Sequence, residues 1–125
     1  VENTGANGMI EKMIGLTFSK IKGYEDSEEL KFVGEGDTPS FLFYHEQDCC
    51  EDVRVEEIIG DLDDLVGTPI LEAREDTESG DMQYESATWT FYNFRTIKGS
   101  VTIRWLGTSN GYYSESVQCR IIQND

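Results

Sequence analysis

The sequence predicts an α+β domain that is predominantly antiparallel β, a single layered unit with a C-terminal three-stranded meander and one short helix. Three observations carry that expectation. Residues 86–122 alternate in polarity, are rich in aromatic and β-branched side chains, and are broken by two short turn signals. Upstream, clusters of Gly, Asp and Ser cut the chain into apolar runs of strand length. Only residues 56–66 show helical spacing, with Ile58, Leu62 and Leu65 at i, i+4 and i+7.

Taken in order, Ile14, Leu16 and Phe18 share one parity and predict a strand near 14–22, entered from a helical turn. Residues 25–27 read as a polar turn, 30–33 as a short strand, and Gly34-Glu35-Gly36-Asp37 as its stop. Residues 40–45 form an aromatic strand, with Phe41, Phe43 and His45 on one face and Leu42 and Tyr44 on the other. A strand resumes over 51–55, and the helix follows over 56–66, weakened by Gly60 and stopped by Gly67-Thr68-Pro69. Residues 69–74 read as an edge strand because they open on proline. Residues 75–81 read as a solvated acidic loop. Then comes the meander: 86–97, a tight turn at Lys98-Gly99, 101–106, a second turn over 107–111, and 112–122.

Composition bounds what such a domain does. The chain has 125 residues, 38% of them apolar, with 14 Phe, Trp and Tyr side chains, enough for one buried core and too aromatic for a disordered acidic tail. Residues 1–8 are polar and read as a frayed or added end, leaving 9–125 as one globular domain. Net charge is −15 and unevenly spread: −4 over 1–45, −13 over 46–85, and +2 over 86–125. An acidic field of that size disfavours direct contact with nucleic acid and favours basic partners. No apolar run reaches the ~20 residues that span a bilayer, so no membrane partner is expected.

Several residue sets have the inventory for chemistry. His45, Cys49, Cys50 and Cys119 supply the imidazole and three thiols of a Cys3His zinc site, and equally a cysteine nucleophile with a histidine base. Against both, neighbouring cysteines on extended backbone point to opposite faces and do not bridge without strain, and no Cys-x-x-Cys knuckle is present. Asp61, Asp63 and Asp64 with Glu56 and Glu57 would suit a hard cation, but their spacing departs from a calcium loop. Arg95, Arg104, Asn110, Tyr112 and Tyr113 could stack a base and hold a phosphate, although Asn-Gly is also ordinary turn chemistry. No cofactor is expected on these grounds, zinc being the one candidate.

The runs His45-x-x-x-Cys49-Cys50-Glu51-Asp52-Val53, Gly60-Asp61, Leu65-x-Gly67, Trp89-Thr90-Phe91-Tyr92, Gly99-x-Val101-Thr102-Ile103-Arg104-Trp105 and Ser109-Asn110-Gly111-Tyr112-Tyr113-Ser114 together resemble a family of small acidic proteins encoded by bacteriophages and prophages. The resemblance covers residues 13–122. It implies a phage origin and expression in the host cytoplasm, and it carries over no catalytic residue. Joined to the charge pattern, it leads to the expectation of a non-enzymatic protein that inhibits a host factor, a nucleic-acid-binding defence protein with a basic surface. Asp48, Asp52, Glu56, Glu57, Asp61, Asp63 and Asp64 would make the contacts. The alternatives are a binder that sequesters a nucleotide signal through the Arg95–Tyr113 set, and a phage assembly accessory that forms a homo-oligomer.

Overall fold

In the computed structural model, which describes residues 7–82 and 85–122, two four-stranded antiparallel sheets face each other. Sheet I runs β1 (Lys20–Lys22), β2 (Leu30–Val33), β3 (Ser40–Tyr44) and β8 (Gln118–Ile122), in that spatial order. Sheet II is ordered β4 (Asp52–Ile59), β7 (Gly99–Ser109), β6 (Glu85–Thr96) and β5 (Glu72–Met82). A four-residue helix, α1 (Asn7–Ile10), and a 3₁₀ turn (Glu11–Met13) precede them, and a second 3₁₀ turn (Leu62–Leu65) follows β4. The expected class, mostly antiparallel β with one short helical element, is what the chain adopts. No helix among the described residues is long and apolar enough to cross a membrane.

Alternation on each strand builds the core. Sheet I turns Phe32, Phe41, Phe43 and Cys119 inward, and sheet II answers with Val55, Tyr92, Phe94, Ile103 and Trp105, all essentially buried. Rings meet across the gap, Phe32 to Phe94 at 5.0 Å and Phe43 to Tyr92 at 5.0 Å. Each such side chain contributes about 1.5–3 kcal/mol by burial, and edge-to-face ring contacts add about 0.5–1.5 kcal/mol.

Four sequence expectations are corrected. The helix over 56–66 is absent: Glu56, Glu57, Ile58 and Ile59 continue β4, and only Leu62–Leu65 turns helically. The Ile58/Leu62/Leu65 spacing is met by a strand followed by a turn, because β7 offers Ile103 as a partner for Ile58 and pairing overrides a weak helical preference. Gly60, at φ 113°, makes the break: a Cβ there would stand 2.9 Å from the Ser100 carbonyl. The acidic loop over 75–81 is instead part of β5, an eleven-residue strand paired along its length with the long alternating β6; β5 lies at the sheet edge, as expected of 69–74, but it begins at Glu72 and Pro69 stands outside it.

The meander is real but one strand displaced. It is β5–β6–β7, and β8 leaves it to pair with β3, setting Cys119 opposite Phe43. The free side of β7 is already taken by β4, and β8 has apolar positions that complete sheet I. The crossing segment is pinned where the Glu115 carboxylate accepts the Thr88 hydroxyl at 2.7 Å and the Ser109 hydroxyl. Gly107 lets it pass, since a Cβ there would meet the Glu115 carbonyl at 2.5 Å. Consequently 112–117 is not strand. Likewise the strand expected over 14–22 shrinks to Lys20–Lys22, with Ile14 and Thr17 only bridging to Ile70 and Pro69. Of the end assigned to 1–8, residues 1–6 lie outside the described residues, and Asn7 and Gly8 begin α1.

Candidate functional site

The loop joining β3 to β4, residues 45–51, is built around one carboxylate. Glu51 is 3% exposed, and its side chain accepts the N–H of Asp48 at 2.8 Å and of Cys49 at 2.9 Å, with His45 Nε2 at 2.9 Å. A buried carboxylate without partners is costly, so these donors are what let it sit there. The His45 hydrogen bond, then the Cys49 N–H, hold the Glu51 pKa down at about 2, against a smaller opposing effect of burial. The other ring nitrogen, His45 Nδ1, donates to the Ser116 carbonyl at 2.7 Å and ties the loop to the crossing segment before β8. Gln47 donates to the Cys49 and Glu51 carbonyls from the side.

Cys49 and Cys50 stand at the exposed tip of this loop and are joined as a disulfide. The expectation was that adjacent cysteines do not bridge without strain; here they are joined, within a bend of the loop. The four sequence candidates for zinc do not converge. Cys119 is inside the core, where burial and then the charge of Glu75 push its thiol up to about 12. No group of three or more metal-ligating side chains occurs among the described residues, which also leaves the Asp61, Asp63, Asp64, Glu56 and Glu57 set unassembled. Nor do His45 and a cysteine form a base and nucleophile, because both ring nitrogens are already engaged and the neighbouring sulfurs are bonded to each other. Beside the loop is a cavity of about 250 Å3 lined by His45, Glu46, Gln47, Asp48, Ser114 and Gln118.

The expected acidic contact set is distributed along β4 and beyond its end. Asp52 holds Arg54 at 2.8 Å. A bulge between Val55 and Glu57 turns both Glu56 and Glu57 onto Arg104, each at 2.7 Å. Asp61 caps the 3₁₀ turn by accepting the Asp63 N–H at 2.9 Å, and the Asp64 carbonyl accepts the Thr96 hydroxyl. Asp48 stays on the 45–51 loop.

What the sequence did not disclose is the company β4 keeps. The 25–29 turn lies along its outer edge: Asp26 N–H donates to the Val55 carbonyl at 2.7 Å, and Val55 N–H to the Ser27 carbonyl at 2.9 Å. Glu25 accepts the Ile58 N–H at 3.0 Å, and Glu28 stands 3.6 Å from Arg54. Glu25, Asp26, Glu28 and Glu29 thereby join Asp52, Glu56 and Glu57 in one acidic rim. The acidic run at 25–29 was visible as a run, but nothing in its spacing pointed to β4.

The nucleotide-site candidates separate. Arg95 pairs with Glu72 at 3.2 Å, and Arg104 with the β4 glutamates. Arg95 lies opposite Ser100 at one end of β7, whereas Asn110 follows Ser109 at the other, about 30 Å away at ~3.4 Å per strand residue. Asn110 accepts the Tyr112 N–H at 2.9 Å, an ordinary Asx turn, and Tyr112 and Tyr113 pack edge to face on each other at 5.2 Å.

Over residues 10–119 the chain matches the model of a family described as a domain of unknown function, DUF7448, and it belongs to that family. No curated protein and no solved structure matches it.

Proposed function

We propose that this member of the family is a non-enzymatic, phage-encoded binding protein that acts in the host cytoplasm and inhibits a host factor by occupying its basic, nucleic-acid-binding surface. The acidic rim formed by β4 and the 25–29 turn carries this reading. There, acids from two segments distant in sequence are held side by side by backbone hydrogen bonds, with Arg54 and Arg104 as struts between them. Rigid placement of charge lowers the ordering cost of binding, and an array of carboxylates competes for side chains that otherwise hold phosphates.

The test compares the wild type with a rim variant, Asp52→Lys/Glu57→Lys, as immobilised bait for purified basic nucleic-acid-binding proteins of the host at rising salt. Capture that falls steeply with salt, is displaced by DNA and is lost in the variant is the expected result. Capture that is indifferent to salt, or intact in the variant, removes the rim from the reading.

A further inference from the structure

Tyr92 and Phe94 of β6 point into the core, so Trp89, Phe91 and Asn93 alternate with them onto the outer face of sheet II. Pairing with β5 sets Trp89 opposite Glu78 and Phe91 opposite Asp76. Both acids are exposed and both rings half-buried. A Cβ at Gly80 would meet the Trp89 ring at 3.2 Å, so the indole rests across β5 where that strand has no side chain. Among the described residues, neither ring packs on another ring and no cation of the chain lies over either. Nor are Asp76 and Glu78 in any ion pair there. Arg104, beside Phe91 on β7, is held by both Glu56 and Glu57, so that neighbour adds no free positive charge. Of the four arginines in the strands of sheet II, only Arg74 is in no ion pair among the described residues. It lies two residues before Asp76 on the same side of β5, opposite Asn93.

A ring face beside a free carboxylate suits a guanidinium. Its plane stacks on the ring while its N–H groups donate edgewise to the carboxylate. An ammonium is a compact, strongly hydrated point charge and does not combine the two contacts in this way. Two such pairs stand side by side. Trp89 with Glu78, and Phe91 with Asp76, are two residues apart on both strands, about 7 Å from ~3.4 Å per residue. Alternate side chains of an extended segment have the same spacing. Arg74 comes next along β5, and its charge opposes a third cation. The rings alone would also stack a nucleobase, but Asp76 and Glu78 repel the phosphates that accompany one.

We propose that the Trp89/Glu78 and Phe91/Asp76 pairs are two guanidinium subsites, filled by alternate arginines of an extended Arg-x-Arg segment. The inference rests on the basic partner proposed above and names the part of it that is recognised, arginines that otherwise hold phosphates. It puts the specific contact on β5 and β6, across the sheet from the β4 rim. The rim draws a basic surface in from a distance, and the rings add a close contact that salt screens less.

Isothermal titration of the full chain tests this with three probes: a short synthetic peptide in which two arginines flank one serine, the same peptide with lysines in their place, and a single-stranded DNA oligonucleotide. The arginine peptide should bind, the lysine peptide should bind about fivefold or more weakly, and the oligonucleotide should not bind. Trp89→Ala and Asp76→Asn/Glu78→Gln should each weaken the arginine peptide about fivefold or more. The second variant keeps the size of both side chains, so it decides the matter if Trp89→Ala lowers the thermal unfolding midpoint. No binding of the arginine peptide at millimolar concentration overturns the proposal. So do equal affinities for the two peptides, an unchanged affinity in Asp76→Asn/Glu78→Gln, or a preference for the oligonucleotide. The bait experiment described above separates the two readings. Capture of a host protein that is lost with Asp52→Lys/Glu57→Lys but intact with Asp76→Asn/Glu78→Gln overturns the subsites and keeps the rim. Peptide binding with no host protein captured supports the subsites and removes the rim.

Discussion

Sheet I and sheet II share one core and differ at the surface. Phe32, Phe41 and Phe43 from one meet Tyr92, Phe94 and Trp105 from the other, and all are buried. In composition, the strands of sheet I carry four cations and no acid, while those of sheet II carry nine acids and four arginines. On sheet II three of the arginines, Arg54, Arg95 and Arg104, are spent on acids of their own sheet. On sheet I the lysines have no such partners among the described residues. Net charge, read along the chain, hides this: the +2 of residues 86–125 is divided between both sheets, and the −4 of residues 1–45 conceals three lysines on one face.

The comparison breaks most completely at the shared core. Phe43 is fully buried and touches rings from both sheets, so Phe43→Ala should cost about 3–5 kcal/mol and uncouple both sheets in one transition. Urea unfolding followed by tryptophan fluorescence, which reports on sheet II through Trp105, and by far-UV circular dichroism measures it; two separated transitions would show that the sheets do not share one core.

A smaller effect comes with acid and is confined to the link between the sheets. Glu51 has its pKa lowered from 4.5 to about 2 in the fold. The stability it contributes is therefore complete above its ordinary value and drains away as pH falls toward the folded one. Wild-type urea midpoints should decline across that window, and Glu51→Gln should start lower and lose this part of the decline. Parallel curves for the two proteins would show that the His45–Glu51 contact does not set acid sensitivity.

The smallest effect sharpens the contrast, because the same type of change takes opposite signs. Lys22→Glu places an acid opposite Lys31 and should stabilise the fold by about 0.2–1 kcal/mol. Glu57→Lys takes a partner from Arg104 and should destabilise by a similar amount, about 0.2–1 kcal/mol, since both groups are partly solvated. Both shifts are read from thermal midpoints at low salt, and equal signs would mean that pairing within each sheet is not what distinguishes them.

Strands with clean alternation were legible in the sequence. β2, β3 and β6 fall where polarity, aromatics and turn residues placed them, and β7 covers the expected 101–106 but runs on to Ser109 through part of the expected turn; each is half-buried and its pattern reports its own burial. Segments whose state depends on a distant partner were not. Residues 56–59 became strand because β7 was beside them, 75–82 because β6 was long, and 118–122 joined sheet I because β7 was already paired on both sides. The site followed the same rule. The prominence of residues 45–51 was visible from composition, but the centre of that loop is Glu51, which no chemical motif singled out, and the acidic rim needed the 25–29 turn, which only backbone pairing locates.

The exchange of β8 between sheets bears on how the molecule is made. Phe41 and Phe43 are paired with Ile121 and Cys119, so an aromatic strand emerging early waits for residues more than seventy positions later before its second edge is closed. Long-range pairing of this kind slows folding. During synthesis, sheet I remains an open three-stranded edge while the β5–β6–β7 hairpins, whose contacts are local, can already form. A chain stalled before residue 118 would present Phe41 and Phe43 beside an unpaired backbone, the combination from which non-native strand pairing and aggregation start.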